Sequence, residues 1–312
     1  MTSPPATLTL AITGATGFVG RHLAERAVAR GFSVKALARR AQPAATGIEW
    51  VDGAIDPPAG LGRLVQGADA VIHVAGAINA PGKAGFISCN VDGTRAMIAA
   101  AGAAGVKRFI HVSSLAAREP GLSDYGHSKA VSEELLPASG LDWTIVRPPA
   151  VYGPGDRESL ELFRMAARGL ILLPPKGRLS VIHVHDLADL LLRLAEAPSA
   201  IGQTLEPDDG QPGGWSNRGF AAAIAGAVGR PTALRLSLPG PMLTLGAAAD
   251  TAWARLSGRL PKLSFDRARY FRHPDWTAAR QRRPDAGLWR AAIETPGGLA
   301  ATAAWYRENG WL

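Results

Sequence analysis

Short apolar runs alternate with longer stretches of helical periodicity along the first half of the chain. This alternation is typical of a parallel sheet with crossover helices, because strands covered on both faces are apolar throughout while each covering helix is apolar on one side. The runs that predict strands are 8–13, 33–38, 48–52, 70–75, 106–113 and 142–147. The stretches that predict helices are 17–30, 58–66, 90–104 and 125–139.

The pattern changes after Pro148, where proline and glycine become frequent and the strand–helix rhythm breaks. A strand at 180–184 and a helix capped by Asp186 follow, and we expect residues 180–200 to rejoin the sheet. We predict an α/β fold, a Rossmann-type doubly wound parallel sheet with a smaller, mostly helical C-terminal substrate lobe. The cofactor domain would span 1–155, and the lobe 156–179 and 201–312.

A glycine-rich loop, TGATGFVG at 13–20, follows the first predicted strand and opens the first predicted helix. Gly14 would allow the tight turn, Gly17 would let the backbone approach a pyrophosphate, and Gly20 would let the helix pack close to the strand. The N–H groups and partial positive charge of the helix N-terminus favour phosphate at this place. The loop residues expected to contact a dinucleotide are Gly14, Thr16, Gly17, Phe18, Val19 and Gly20.

The end of the second predicted strand bears on which dinucleotide binds. NAD-binding proteins commonly place an acidic residue there for the ribose hydroxyls. Here the strand ends with Arg39 and Arg40, whose guanidinium groups suit a 2′-phosphate, unless one or both only face solvent. The sequence therefore favours NADP over NAD as the cofactor.

Cysteine usage and charge exclude several other classes of protein. Cys89 is the single cysteine, so neither an internal disulfide nor a cysteine-cluster metal site can form. We expect a cytoplasmic protein without a metal site, and no apolar run approaches the roughly 18 residues of a membrane span. The net charge is +8, but the basic residues look scattered along the chain. We therefore expect neither nucleic acid nor membrane as a partner.

Seven motifs in one order carry a family resemblance: TGATGFVG (13–20), DAVIHVAG (69–76), NVDGT (90–94), VKRFIHVSS (106–114), YGHSK (125–129), VRPPAVYGPGD (146–156) and VIHVHDLAD (181–189). They resemble the extended or atypical branch of the short-chain dehydrogenase/reductase superfamily, which comprises NAD(P)-dependent epimerases, dehydratases and reductases. The resemblance covers most of residues 7–200. It implies a dinucleotide-dependent enzyme.

The resemblance also implies the catalytic residues. Tyr125 and Lys129 match the family's Y-x-x-x-K motif, and as an i, i+4 pair they lie on one helix face. We expect the ammonium group to lower the pKa of the phenol, which would act as general acid or base. Ser114 would hydrogen-bond the substrate carbonyl, with Ser113 as the alternative one position away. Asn90 matches the family's helix asparagine in the proton relay.

The resemblance implies further contacts with the cofactor, and the chain departs from the family's pattern at two places. The further residues expected to contact the cofactor are Ala75, Gly76, Pro148 and Val151. Where the family commonly has an Asp near adenine, this chain has Ala54, so Asp52, Asp56 or packing alone would serve instead. Only 11 residues separate Ser114 from Tyr125, which argues against a large nucleotide-sugar substrate.

The leading hypothesis is an NADP-dependent oxidoreductase that moves hydride to or from the carbonyl or alcohol carbon of a small substrate. The alternatives are a nucleotide-sugar epimerase or dehydratase, and a non-catalytic NADP-binding sensor or accessory protein. A small-molecule substrate is the partner we expect, and a homodimer is left open. The substrate-lobe candidates for specificity are Arg157, Phe163, Trp215, Arg269, Tyr270 and Trp276.

Overall fold

A seven-stranded parallel sheet lies at the centre of the computed structural model, which describes residues 7–258 and 263–312. The strands are β1 Thr9–Thr13, β2 Ser33–Ala38, β3 Ile48–Asp52, β4 Ala54–Ile55, β5 Pro58–Ala59, β6 Ala70–His73, β7 Arg108–Val112, β8 Asp142–Val146, β9 Ala150–Tyr152, β10 Leu170–Leu173, β11 Arg178–Leu179, β12 Val181–His183, β13 Gln203–Leu205, β14 Trp215–Ser216, β15 Leu234–Ser237 and β16 Asp275–Trp276. The helices are α1 Phe18–Ala29, α2 Leu61–Val65, α3 Gly82–Phe86, α4 Gly93–Ala103, α5 Asp124–Glu134, α6 Leu160–Ala167, α7 Val184–Glu196, α8 Asn217–Ala227, α9 Gly240–Ser257, α10 Phe265–Arg272 and α11 Thr295–Glu308.

The central sheet has the strand order β13-β8-β7-β6-β1-β2-β3, with every neighbouring pair parallel. Successive side chains of a strand point to opposite faces. Leu10 and Ile12 of β1 therefore pack on the side of α1 and α7, whereas Ala11 packs on the side of α2 and α4. This order, with helices on both faces, confirms the predicted doubly wound Rossmann-type fold.

The edge strand at one side of the sheet differs from the sequence-based prediction. β13 pairs with β8, although its residues were expected in the C-terminal lobe. β12, which was expected to rejoin the main sheet, pairs instead with β9 in a separate two-stranded sheet. β13 has three residues, which is too short for a pattern of period two to be recognised, whereas β12 was predicted as a strand and only its partner differs.

The start of α7 also differs from the prediction. The helix begins two residues earlier than Asp186, and its N-cap is His183, whose side chain accepts a hydrogen bond from the N–H of His185 at 3.2 Å. Asp186 is buried in the first turn, where its carboxylate accepts from the N–H groups of Ala292 and Ile293, both at 3.1 Å. It thus holds the returning C-terminal segment rather than capping the helix.

The C-terminal part of the chain forms a second apolar cluster around α6, α8 and α11. Phe163, Ile224 and Tyr306 are buried at its centre. α9 and α10 pack on each other through Leu243, Ala247 and Ala268. Among the residues that the structure describes, no helix combines the length and the apolar character needed to cross a membrane.

The tightest backbone approach in the cofactor domain is made by Gly20. A Cβ at this position would lie 2.1 Å from the carbonyl oxygen of Gly14. We expect Gly20→Ala to lower the free energy of unfolding by at least about 2 kcal/mol, because neither backbone can yield, and to abolish dinucleotide binding. Chemical denaturation and a fluorescence titration with NADPH measure the two effects.

Gly102→Ala is the matched control for this prediction. A Cβ on Gly102, which lies inside α4, would meet no atom within 4 Å. Its replacement should stabilise the protein by about 0.5–1 kcal/mol through the lower entropy of the unfolded chain. Equal stability of the two variants would contradict the assigned role of Gly20.

Candidate active site

The glycine loop joins β1 to α1 in the geometry that its sequence requires. Gly14 has φ +72°, and a Cβ there would lie 2.8 Å from the nitrogen of Ala75 on the loop after β6. The N–H of Gly17 donates to the carbonyl of Gly14 at 2.9 Å. Gly17 is the N-cap of α1 and has no side chain, so the first N–H groups of the helix are left for an external acceptor. The residues present therefore fit a pyrophosphate.

A chain of buried polar groups runs from this loop to the next strand and helix. Thr13 Oγ1 and His73 Nδ1 are 2.8 Å apart, His73 Nε2 and Thr94 Oγ1 are 3.1 Å apart, and Thr94 donates to the carbonyl of Asn90 at 2.7 Å. Burial, aided by the charge of Lys129, lowers the pKa of His73 to about 3. His73 is therefore neutral and acts as a fixed link between the loop and Asn90, not as a proton carrier.

Asn90 lies in a π-helical turn, Ile87–Asp92, that the helical periodicity did not reveal. Its Oδ1 accepts from the N–H of Ala77 at 2.7 Å, and its Nδ2 donates to the carbonyl of Ala77 at 3.0 Å and to Ser128 Oγ at 2.8 Å. A Cβ on Gly76 would lie 3.0 Å from Asn90 Oδ1 and 3.5 Å from Lys129 Nζ. The structure thus brings Asn90, Gly76 and Lys129 together.

α5 carries Tyr125 and Lys129, and Ser123 caps it by accepting from the N–H of Gly126 at 3.0 Å. Lys129 is buried, and its Nζ donates to the carbonyl of Val112 at 2.8 Å. Burial lowers the pKa of Lys129 to about 8, against the opposing effect of Glu133. This ammonium group is thus held at the carboxyl end of the sheet at a cost in desolvation.

The pKa of Tyr125 is raised, so the expectation that Lys129 would lower it is wrong for this structure. Burial is the largest cause, a hydrogen bond with Ser114 lowers the pKa, and the charge of Glu158 raises it. Desolvation penalises the phenolate more than the surrounding groups stabilise it. A neutral phenol suits a proton donor better than a base.

The two serines after β7 have different partners. Ser113 is buried and its hydroxyl donates to Glu133. Ser114 begins a short 3-10 helix, where it accepts from the N–H of Ala116 at 3.2 Å and hydrogen-bonds Tyr125. Of the two alternatives that the sequence left open, Ser114 is therefore the one beside the tyrosine.

A buried ionic network around Arg147 was missed by the sequence-based analysis. Arg147 Nη2 lies 2.5 Å from Glu133 Oε2, and its Nη1 lies 3.4 Å from Oε1 of the fully buried Glu206. Arg118 Nη1 approaches the other oxygen of Glu206 at 3.3 Å. Charged residues inside otherwise apolar segments, Glu133 after Lys129 and Arg147 at the end of a strand, were the available signal.

The residues expected near the adenosine ribose and the adenine lie around the carboxyl ends of β2 and β3. Arg39 and Arg40 are exposed directly after β2. Burial raises the pKa of Cys89 overall, and the charge of Arg39 acts to lower it. Arg39 therefore lies on the side of the π-helical turn, which contains Cys89. Asp56 accepts from Ser88 on the same turn at 2.7 Å. Ala54 lies in the β4–β5 hairpin, which replaces the start of the helix predicted at 58–66.

Aromatic residues from both halves of the chain surround Tyr125. The ring of Phe86 lies 6.1 Å from that of Tyr125. Tyr270 is stacked on Trp276 with ring centroids 4.3 Å apart. The pKa of Tyr270 is raised, first by burial and then by the proximity of Tyr125. Tyr270 therefore belongs to the same site, as one of the substrate-lobe candidates.

The other substrate-lobe candidates have structural contacts instead. Phe163 is in the core against Tyr306, Trp215 donates to Asp209 at 2.7 Å, Arg269 pairs with Asp266 at 2.5 Å, and Arg157 lies 4.8 Å from the ring centre of Trp311. These contacts explain the positions of the four side chains, and no bound ligand is needed to explain them. Among the described residues, no group of three or more His, Cys, Asp or Glu side chains is arranged to hold a metal ion.

Comparisons with known proteins agree with this geometry. A family model described as NAD(P)H-binding matches residues 14–198. The chain is 42% identical over 311 residues to the ceramide reductase of Caulobacter vibrioides, covering 97% of this chain and 96% of that protein. It is 27% identical to the UDP-glucose 4-epimerase of Vibrio cholerae (71% and 76% covered) and 27% identical to the 2-alkyl-3-oxoalkanoate reductase of Stenotrophomonas maltophilia (88% and 93% covered).

Solved structures share the fold over nearly the whole chain. MoeE5 in complex with UDP-glucose and NAD has a TM-score of 0.71 at 23% identity, with 97% of this chain and 99% of that chain covered. WbmH of Bordetella bronchiseptica in complex with NAD+ has a TM-score of 0.74 at 21% identity, with the same coverage. These structures share the fold, and the family match shows that the cofactor class is a nicotinamide dinucleotide.

The lowered pKa of Lys129 predicts a stability that rises with pH. Below about pH 8 the folded and unfolded states both carry the proton, and the buried charge opposes folding by about 3 kcal/mol. Between about pH 8 and 10.5 only the unfolded state keeps it, so the penalty is relieved. We expect Lys129→Met to stabilise the fold by about 1–2 kcal/mol at pH 7, after the lost hydrogen bond to Val112 is allowed for.

Thermal unfolding at about pH 7 and pH 9.5 checks this prediction, because the gain should shrink at the higher pH. Lys107→Met is the control, since Lys107 is exposed and should show the pH dependence of the unaltered protein. A Lys129→Met variant that is less stable than the unaltered protein by the same amount at both pH values would contradict the assignment.

Proposed function

As a member of the extended or atypical short-chain dehydrogenases/reductases, the chain is an NAD(P)-dependent oxidoreductase or epimerase, and we propose that it reduces a carbonyl group of a long-chain lipid with NADPH. The observation that carries the proposal is the contact of Ser114 with Tyr125, which lies on the same helix as the buried Lys129. Burial raises the pKa of Tyr125, so the phenol is protonated near neutral pH and can donate a proton to a carbonyl oxygen.

The roles of the side chains follow from their positions. NADPH held at the glycine loop of Gly14, Gly17 and Gly20 would supply a hydride for the carbonyl carbon. Ser114 donates a hydrogen bond to the carbonyl oxygen, and Tyr125 transfers its proton to that oxygen as the C–O double bond becomes single. The product is the alcohol, and the tyrosine recovers its proton from solvent. Asn90 fixes the loop at Ala77 against α5, the helix that also carries Lys129.

The substrate class is proposed from the relatives and from the wall of the site. The relative that is 42% identical over nearly the full length is named a ceramide reductase, and a second relative is named a 2-alkyl-3-oxoalkanoate reductase. Both names describe substrates with long or branched alkyl parts. Phe86, Tyr270 and Trp276 place aromatic surface around Tyr125, which suits an apolar substrate better than a sugar.

Among the nicotinamide dinucleotides we infer NADP, because Arg39 and Arg40 are exposed directly after β2, where NAD-binding proteins commonly have an acidic residue. We also infer a cytoplasmic location, which agrees with the single half-buried thiol of Cys89. A nucleotide-sugar epimerase is the second candidate, supported by the similarity to the UDP-glucose 4-epimerase.

Tyr125→Phe should keep the affinity for NADPH and lower kcat at least about a hundredfold, since the phenol is the proposed proton donor. The measurement is NADPH oxidation with an N-acylated 3-oxo lipid in detergent, beside a titration of NADPH binding. UDP-glucose, supplied with the oxidised dinucleotide and followed by formation of its 4-epimer, serves as the competing substrate and should not turn over. Undiminished reduction by Tyr125→Phe would remove the tyrosine from the mechanism, and turnover of UDP-glucose alone would establish the epimerase.

NADPH should bind at least about tenfold tighter than NADH, and Arg39→Ala should remove most of that difference by deleting a cation at the 2′-phosphate. Fluorescence titration with both dinucleotides measures the ratio. Arg95→Ala is the control, because Arg95 is exposed on α4 and pairs with Asp92. Equal affinities of the unaltered protein for the two cofactors would show the NADP assignment to be wrong.

A further inference from the structure

The exposed large apolar side chains are concentrated in one part of the molecule. Of the twelve found in the described residues, only Ile78 and Ile201 lie outside the segments 170–172 and 234–271. Monomeric proteins scatter such side chains singly, whereas a contiguous group marks an interaction surface. The ten clustered residues therefore need an explanation that the cofactor and the catalytic residues do not provide.

α9 contributes the most exposed of these side chains. Met242, Leu245, Trp253 and Leu256 are 53%, 70%, 63% and 83% exposed, and their spacing places them on one face of the helix. The positions between them on that face, 248, 249 and 252, are exposed alanines. The opposite face, with Leu243, Ala247 and Ala254, is buried. The helix is thus apolar on both faces, although one of them points away from the protein.

The strand that precedes α9 in the chain contributes further exposed apolar side chains. β10 and β15 are paired so that Leu170 stands opposite Leu234 and Leu172 opposite Leu236. All four leucines are exposed on one face of the pair, while Ile171 between them is buried on the other. Next along the chain, α10 adds Phe265 and Phe271, which are 48% and 43% exposed. We call these residues with those of α9 the apolar surface.

The net positive charge of the chain comes from the stretch of sequence that carries α9 and α10. Residues 230–283 contain eleven of the 34 Lys and Arg residues but three of the 26 Asp and Glu residues, a net charge of +8 that equals the net charge of the protein. The excess of basic over acidic residues therefore falls in the stretch of chain that carries α9 and α10. Apolar side chains within a cationic segment are typical of helices that lie in the interface of an anionic bilayer.

We propose that the apolar surface docks on an anionic lipid bilayer, with α9 lying in the interface and the net positive charge of 230–283 attracted by the anionic headgroups. A second copy of the chain is a poorer occupant, since pairing this surface with itself would bring two segments of net charge +8 together. The sequence-based expectation of no membrane partner is revised accordingly for surface binding. Docking requires no spanning helix.

The apolar surface is connected to the catalytic helix through α10. Ala268 packs against Leu243 and Ala247 of α9. On another side of α10, Asp266 accepts from the N–H of Asp124 at 3.1 Å, next to Tyr125. One helix therefore separates the exposed side of α9 from the start of α5. If the proposed lipid reduction is correct, docking would bring membrane-resident substrate close to the proton donor.

Vesicle flotation of the full chain tests the docking directly. We expect at least about tenfold stronger partitioning onto phosphatidylcholine vesicles that contain about 30% phosphatidylglycerol than onto phosphatidylcholine alone, with the difference reduced at high salt. The double variant Leu245→Asp/Trp253→Asp should lose at least about tenfold of this partitioning. Ile201→Asp is the matched control, since Ile201 is exposed outside the apolar surface, and it should bind as the unaltered protein does.

Thermal unfolding and NADPH titration of the double variant report on its fold, because both replaced side chains point away from the buried face of α9. If the double variant unfolds early, quenching of tryptophan fluorescence by brominated lipid is measured instead, in the unaltered protein and in Trp253→Phe. Loss of quenching in Trp253→Phe supports the docking. Failure of the unaltered protein to bind anionic vesicles would overturn the proposal. The proposal would also be overturned if the double variant folds and binds vesicles as the unaltered protein does, but no longer forms the dimer that light scattering shows for the unaltered protein.

The two proposals fail in different ways. Vesicle binding by the unaltered protein and by Tyr125→Phe needs no turnover, so docking stands or falls without the assigned reaction. With a short, water-soluble 3-oxo amide the double variant should keep the activity of the unaltered protein, and with the lipid embedded in anionic vesicles it should lose at least about tenfold. Equal loss on both substrates would contradict a role in docking.

Discussion

The buried guanidinium group of Arg147 is the contact on which the arrangement of the site depends. It stands at the end of β8 and faces two carboxylates, that of Glu133 on α5 and that of Glu206 after β13. Removing Arg147 would leave the buried carboxylate of Glu133 without its ion partner, which is far costlier than losing a surface pair. Because Ser113 is also held by Glu133, Ser114 is directed to the side of Tyr125. The network thus sets the position of α5 and of the serine together.

The same network joins the catalytic part of the chain to the C-terminal part. Glu206 accepts from the N–H of Ala279 at 2.8 Å, and Arg118 donates to the carbonyl of Thr277 at 2.6 Å. These contacts hold the segment that carries Trp276, and Tyr270 is stacked on that ring. The aromatic wall beside Tyr125 is therefore positioned by charges rather than by apolar packing alone. A carbonyl substrate would be oriented by both parts of the chain at once.

The sequence predicted those parts of the structure that local chemistry determines. The strands of the central sheet were predicted from continuous apolar runs, and the glycine loop from a turn that only glycine can form, as Gly14 at φ +72° and the contact of Gly20 show. Features set by distant partners were missed. The three residues of β13 have no recognisable pattern, and the π-helical turn around Asn90 has the periodicity of an ordinary helix.

The candidate site could be predicted from the sequence to a similar extent as the fold. The positions of Tyr125 and Lys129 follow from one motif and that of Asn90 from another, and the structure brings these elements together, while the roles of the residues stay predictions. The choice between Ser113 and Ser114 required the partner of each hydroxyl, and the sign of the pKa shift at Tyr125 required its burial. The charge distribution was visible in the sequence, but its meaning depended on knowing that the side chains of α9 are exposed.

The exposed face of α9 has a kinetic consequence for a chain attached to a bilayer through it. Enzyme and lipid would meet by lateral diffusion in a plane, so the rate would follow the mole fraction of substrate in the membrane rather than its bulk concentration. Adding inert lipid would slow turnover at constant total substrate by diluting the surface. The dinucleotide would still arrive from the aqueous side, so the two substrates would obey different concentration laws.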